Sequence, residues 1–366
     1  MEDMVMESGF WKDKRVFITG HTGFKGSWLS LWLQHLGAQV TGYALAAPTN
    51  PSLFEVAHVA DGMRNISGDI RGLEHIASSM ADCDPHIVIH MAAQSLVRYS
   101  YAHPVETYAT NVLGTVHVLE ATRNCRNVRV VVNVTSDKCY ENREWLWGYR
   151  ENEAMGGHDP YSSSKGCAEL VTAAYRRSFF QTNDPNSPKT AVATVRAGNV
   201  IGGGDWAQDR LIPDIMRAVM AGKAVRIRNP SAVRPWQHVL VPLHGYLLLA
   251  EKLWHEGEKS AGGWNFGPAD QDTQPVSWIA QRLTHYWGQD AGWERDGDQH
   301  PHEAHHLMLD SSKARALLAW QPKLHLDTAL KWVVEWYQAY HAGQNMRDFT
   351  RQQIVQFEKV ENVLNA

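Results

Sequence analysis

The sequence predicts an α/β protein: a doubly wound parallel sheet followed by a smaller α/β substrate lobe. Three observations carry this. Short apolar strands alternate with amphipathic helices through the first two hundred residues, as in a parallel sheet covered on both faces. The first strand runs into a glycine-rich turn, TGHTGFKGSW at 19–28, that opens a helix. After residue 200 the texture changes to loops and helices.

Strand candidates are RVFIT (15–19), QVTGYAL (39–45), HIVIHMA (86–92), VRVVVNVT (128–135) and AVATVR (191–196). Between them lie the amphipathic stretches GSWLSLWLQHLG, VETYATNVLGTVHVLEATR and KGCAELVTAAYRRSFF. Farther on, GGGDWAQDR and NPSAVRPWQ read as loops and VSWIAQRLTHYWG as a helix. DSSKARALLAWQP reads as a capped helix stopped by Pro322. The division expected is a nucleotide-binding domain over 1–200 and a mainly substrate-binding lobe over 201–366, interleaved because AVATVR still reads as a central strand. Trp28, Trp32, Trp278 and Trp287 stand at helix-like spacing among apolar residues and are read as core.

With 366 residues the chain has ample length for two lobes. A net charge of −4 and a pI near 6.5 give no electrostatic footprint for nucleic acid or a membrane surface. No apolar run reaches the length of a membrane span. MEDMVMESGFW lacks the basic and apolar regions of a signal peptide. Cys83, Cys125, Cys139 and Cys167 are far apart without a CxxC pair, which points to reduced thiols in a cytoplasmic setting.

Gly20, Gly23 and Gly26, with Thr22, Phe24 and Lys25 between them, form GxxGxxG between a strand and a helix. Glycines there let the backbone approach a pyrophosphate while the helix N-terminus offers free N–H groups. This is the dinucleotide-binding arrangement of a Rossmann-type sheet. Such folds place an acid after the second strand to hold the adenosine ribose. Here that strand ends Leu45-Ala46-Ala47, and from Ser27 to Phe54 there is no Asp, Glu, Lys or Arg. The missing base favours NAD over NADP; the missing acid predicts a weakened grip. Asp69, beside Ile70 in SGDIRG, is a candidate for the adenine edge.

The strand VRVVVNVT runs into VTSDKCYEN, so Thr135, Ser136, Asp137 and Lys138 stand at one strand tip. YSSSK follows, with Tyr161 and Lys165 at i and i+4, one face of a helix if 161–180 is continuous. An ammonium beside a phenol lowers its pKa and makes phenolate accessible.

On TGHTGFKG, HMAAQ (90–94), TSDKCY, YSSSK and RAGNVIGGGDW (196–206), the chain resembles the extended short-chain dehydrogenase/reductase family over nearly its whole length. Within it, GHTGFKGSWL, YALAAPTNPSLFE, AAQSLVRYSY and GNVIGGGDWAQDRLIPD are similar to the CDP-glucose branch of the nucleotide-sugar 4,6-dehydratases. The resemblance implies an NAD-dependent lyase acting on CDP-D-glucose in deoxysugar and O-antigen synthesis. It implies Ala92, Ala93 and Gln94 at the cofactor and Asn199 and Arg234 at the nucleotide diphosphate. Tyr161 would be the base at the C4 hydroxyl, with Lys165 holding its phenolate and the nicotinamide ribose. Ser136 would bind the C4 oxygen, and Asp137 would protonate the leaving C6 hydroxyl. Lys138 stands where the dTDP-glucose relatives have Glu. It either takes the C5 proton as a neutral amine or stays charged and stabilises the enolate. Arg196 is assigned a structural role. For the cytosine, the 205–215 loop and WNFG (264–267) are candidates. Relatives pair through helices like 104–122 and 161–180, which implies a homodimer, with a tetramer as the alternative.

HEAHH at 302–306 matches HExxH, but Pro301 precedes it and a short strand and a new helix are read after it, so no metal is expected. Rival readings are a nucleotide-sugar epimerase or decarboxylase, which leaves Asp137 and Lys138 without work, and a non-catalytic dinucleotide sensor, which leaves Ser136, Tyr161 and Lys165 unexplained.

Overall fold

The computed structural model describes residues 6–7, 9–181, 189–288, 293–295 and 307–360. HEAHH and part of MEDMVMESGFW lie outside them. In chain order the strands are β1 Arg15–Thr19, β2 Gln39–Ala44, β3 Arg64–Ser67, β4 Ile87–His90, β5 Val130–Val134, β6 Ala191–Ala197, β7 Asn199–Ile201, β8 Val225–Ile227, β9 Val233–His238, β10 Gly262–Phe266, β11 Thr273–Pro275 and β12 Trp293–Arg295. The helices are α1 Phe24–His35, α2 Leu53–Val56, α3 Leu73–Cys83, α4 Val97–Ala102, α5 Pro104–Tyr108, α6 Gly114–Arg123, α7 Pro160–Tyr175, α8 Leu211–Met220, α9 Leu240–Glu256, α10 Val276–Trp287, α11 Ser312–Leu318, α12 Leu326–His341 and α13 Met346–Glu358.

Seven strands form one parallel sheet in the order β10-β6-β5-β4-β1-β2-β3. The order reverses between β1 and β4, the switch point beside which doubly wound sheets place ligands. β4 and β5 are wholly buried (IVIH, VVVNV), which is why they read as unbroken apolar runs. Two strands of this sheet escaped the sequence reading. β3 (RNIS) is short and mostly exposed. β10 (GGWNF), from well beyond residue 200, pairs with β6 and closes the sheet. β11-β9-β7 and β12-β8 form two small sheets.

α1 is buried from Gly26 to Leu33 and so lies inside the molecule. Trp28 Nε1 donates to Gly203 O at 3.0 Å and Trp32 Nε1 to Glu358 Oε1 at 2.7 Å, tying α1 to distant parts of the chain. Trp28 and Trp32 are core, and Trp278 and Trp287 pack against it. α5 and α6 are joined by a π-helical turn over Ala109–Leu113, and a second π turn over Arg176–Phe180 extends α7, so 161–180 is one helical stretch.

Two local readings are corrected. NPSAVRPWQ is not all loop: its second half is β9, paired to both β7 and β11. α11 ends at Leu318 on a left-handed Ala319 (φ 47°), short of Pro322. No helix among the described residues is long and apolar enough to cross a membrane.

Candidate active site

The glycine turn is built for close approach. A methyl on Gly26 would stand 2.2 Å from Gly20 O, and one on Gly20 would stand 2.6 Å from Ala92 N. Gly20 has φ 78°, which favours glycine. Gly23 precedes α1 with no side-chain cap, so no side chain occupies the first-turn N–H groups from the cap position. This cradle fits a dinucleotide pyrophosphate. Phe24 is half-buried against the core. Thr22 Oγ1 donates to Leu45 O at 3.0 Å, fixing the turn to the end of β2. Beyond it Leu45 and Ala46 are exposed and carry no acid.

Ala92 and Ala93 follow β4 and are half-buried; Ala92 N donates to Thr19 Oγ1 at 3.2 Å. Gln94 is occupied internally, its amide donating to Leu96 O at 3.1 Å and Thr107 Oγ1 at 2.9 Å. Asp69 is bound by Arg71 at 2.5 and 2.8 Å, which holds its carboxyl below the usual range. Ile70 is buried under Gly114.

The strand tip and α7 converge. Ser136 Oγ donates to Asp137 Oδ1 at 2.9 Å and accepts Lys138 N–H at 3.2 Å, capping a short 3-10 turn. Lys138 Nζ stands 3.5 Å from Asp137 Oδ1. Tyr161 is buried; burial pushes its phenol up, while a Ser136 hydrogen bond and the charges of Lys138 and Arg210 pull it down. Lys165 Nζ donates to Val134 O at 3.2 Å, and burial lowers its pKa to about 8. Lys138 and Arg210 thus add to the field on the phenol, and Asp137 opposes them. Asp159 caps α7, accepting Ser162 N–H at 3.0 Å, and Ser100 Oγ accepts Tyr161 N–H at 3.2 Å.

The sequence reading has Lys25 only as part of the glycine turn, and Arg210 and Glu169 escaped it. Lys25 lies in the electrostatic field of Lys165, Arg210, Asp137 and Lys138; burial and its cationic neighbours lower it to about 8. Arg210 binds Asp205 at 3.0 Å and reaches Ser95 Oγ at 3.0 Å. Glu169, one turn beyond Lys165, is buried against Arg196. Only Glu169 left a signal, an acid at i+4 from Lys165 on the same helical face.

Asn199 lies on β7 and Arg234 on the adjacent β9. A methyl on the neighbouring Gly198 would be 3.5 Å from Asp137 Oδ2, which sets this small sheet beside the strand tip. Arg196 is structural, as read. WNFG is not a base contact: Trp264, Asn265 and Phe266 are buried, and Asn265 Oδ1 accepts Tyr140 O–H at 2.8 Å. Among the described residues, no three His, Cys, Asp or Glu side chains are grouped to hold a metal.

The GDP-mannose 4,6 dehydratase family model matches residues 17–257. The CDP-glucose 4,6-dehydratase of Salmonella typhimurium is 56% identical over 350 residues, 96% of this chain and 98% of that one. A UDP-glucose 4-epimerase from Thermotoga maritima superposes with TM-score 0.78 at 21% identity, covering 89% of this chain and 99% of that one. A dTDP-glucose 4,6-dehydratase from Streptomyces venezuelae with NAD bound superposes with TM-score 0.75 at 22% identity, covering 90% and 98%.

Proposed function

The chain belongs to the GDP-mannose 4,6 dehydratase family, and on that premise we propose that it is an NAD-dependent CDP-glucose 4,6-dehydratase, a hydro-lyase. It converts CDP-D-glucose into CDP-4-keto-6-deoxy-D-glucose, a deoxysugar precursor. The observation that carries this reading is 56% identity to a CDP-glucose 4,6-dehydratase along 96% of the chain. The Ser136–Asp137–Lys138 turn beside Tyr161 supports it.

Bound NAD supplies a hydride acceptor for C4 and a hydride donor for C6. The cradle of Gly20, Gly23 and Gly26 would hold its pyrophosphate. Tyr161 takes the C4 hydroxyl proton and Ser136 hydrogen-bonds the C4 oxygen. The 4-ketone acidifies C5–H. Asp137 delivers a proton to the departing C6 hydroxyl, and Lys138 either removes the C5 proton or faces the enolate as a fixed charge. Arg234 offers the fork that suits a diphosphate, with Asn199 beside it. A 4-epimerase has no elimination step for Asp137 and Lys138 to serve.

The protein pairs as a homodimer in this reading. α5, the π-helical turn after it and α7 expose Val105 (82%), Leu113 (48%) and Leu170 (60%), an apolar surface that a second copy would cover.

Turnover of CDP-[4-²H]glucose in ²H₂O and in H₂O tests the function. The label should arrive at C6 of the same molecule, and C5 should take its hydrogen from solvent. Loss of the C4 label to free NADH or to water overturns the reading.

A further inference from the structure

Glu169 is 5% exposed, yet its carboxylate is fully used. Oε1 accepts from Thr135 Oγ1 at 2.5 Å and from Arg196 Nε at 2.8 Å. Oε2 accepts from Thr194 Oγ1 at 2.6 Å and from Arg196 Nη2 at 2.8 Å. All four donors lie outside α7, on the tip of β5 and on β6. Thr135 stands between Val134, whose carbonyl accepts Lys165 Nζ, and Ser136, which bonds Tyr161. One carboxylate therefore anchors the backbone that both catalytic side chains of α7 touch.

The groups facing Lys165 single out the same residue. From its own helix comes Glu169, itself paired with Arg196 of β6, from the strand-tip turn Cys139, from β4 His90 and from α1 Lys25. Burial pushes the Cys139 thiol well up, so it carries no charge near neutrality. Burial and Lys165 push His90 down to about 3, so its ring is neutral. Asp137 is engaged by Lys138 and Ser136. Glu169 is the carboxylate that opposes the burial of Lys165.

We propose that Glu169 is a positioning residue for the reaction: it locks the Thr135–Ser136 strand tip against α7 and supplies the negative charge that keeps Lys165 an ammonium. The two roles separate experimentally. Glu169→Gln keeps the shape and removes the charge, so Lys165 should lose its proton about one pH unit earlier, a tenfold change in proton concentration. Thr135→Val keeps the charge and removes the tie, so kcat should fall about tenfold with the pH profile unmoved.

The proposal rests on the dehydratase reading, so two readouts are taken on the full chain. One is the pH profile of kcat with CDP-D-glucose. The other is the pH dependence of Lys165 acetylation by acetic anhydride, followed by peptide mass spectrometry, which needs no turnover. Failure of the wild type to turn over CDP-D-glucose overturns the functional reading, while the acetylation curve still tests Glu169. The expected result is an acetylation midpoint, and where activity is present an alkaline limb, displaced to lower pH in Glu169→Gln. A variant that is merely less stable, with midpoint and limb unchanged, overturns the proposal. Should Glu169→Gln fail to fold, Thr135→Val, which cuts one of the four hydrogen bonds to this carboxylate, carries the test, and an undiminished kcat in that variant overturns the proposal.

Discussion

The ammonium of Lys138 stands 3.5 Å from Asp137 Oδ1, and the Ser136 hydroxyl donates to the same oxygen at 2.9 Å. The two groups assigned to elimination are thus coupled to each other and, through Ser136, to Tyr161. In the proposed reaction, oxidation at C4 draws on Tyr161, Ser136 and Lys165, and elimination draws on Asp137 and Lys138. Asp137→Asn and Lys138→Met should therefore form reduced nicotinamide in a single turnover and stall, seen as persistent absorbance. Lys138→Glu sharpens the case. A carboxylate partly rescues a lost C5 base but is worse than Met if the lysine stabilises an oxyanion. Full solvent exchange at C5 in stalled Lys138→Met excludes the lysine as the base.

Tyr161→Phe should lower kcat by roughly 10²–10⁴-fold with little change in substrate affinity, because the hydroxyl acts in the transition state. Steady-state kinetics beside substrate titration check this. Near-full activity would move the base elsewhere.

The exposed end of β2 offers no carboxylate to a ribose. Ala46→Asp should tighten NAD binding by about 1–2 kcal/mol. Calorimetric titration of both proteins reads this directly, and an unchanged affinity would show that another group already holds the ribose.

Glu251, on α9, accepts Trp11 Nε1 at 2.7 Å and Glu7 N–H at 3.1 Å, and burial raises its pKa to about 7. A carboxyl raised in the folded state contributes stability below its unfolded value, and that contribution is lost as pH rises through about 7. The loss by pH 8 is on the order of 2–3 kcal/mol. Glu251→Gln should flatten the fall in Tm between pH 5 and pH 8 relative to wild type. Parallel slopes would mean that the carboxyl titrates near its ordinary value.

Much of the sheet could be read because β1, β2, β4, β5 and β6 are contiguous buried segments. β3 could not, since RNIS is polar and exposed; nor could β10, where two glycines and an asparagine break the apolar signal. The same division holds in the site. The glycine turn, the strand tip and the Tyr161–Lys165 pair are each encoded within a few residues. Lys25, Glu169 and Arg210 acquire their surroundings only when α1, α7 and the loop before α8 meet. WNFG misled for a related reason: its asparagine serves the interior, donating to Tyr149 O at 2.8 Å and Asp310 O at 3.1 Å.

That asparagine bears on how the protein is made. A ribosome delivers the residues proposed for catalysis before β10, and until β10 arrives β6 is an open sheet edge, prone to wrong pairing. Tyr140, which accepts from Arg196 behind the strand tip, still lacks its Asn265 partner at that stage. Gly267 N–H, which donates to Ser311 Oγ at 2.8 Å, waits longer still. A nascent chain halted near residue 250 would carry the glycine turn, the strand tip and the Tyr–Lys pair, yet lack the strand that closes the sheet behind them. Translation of this protein therefore passes through an interval in which β6 is an unpaired strand edge, until residues 262–266 arrive to cover it.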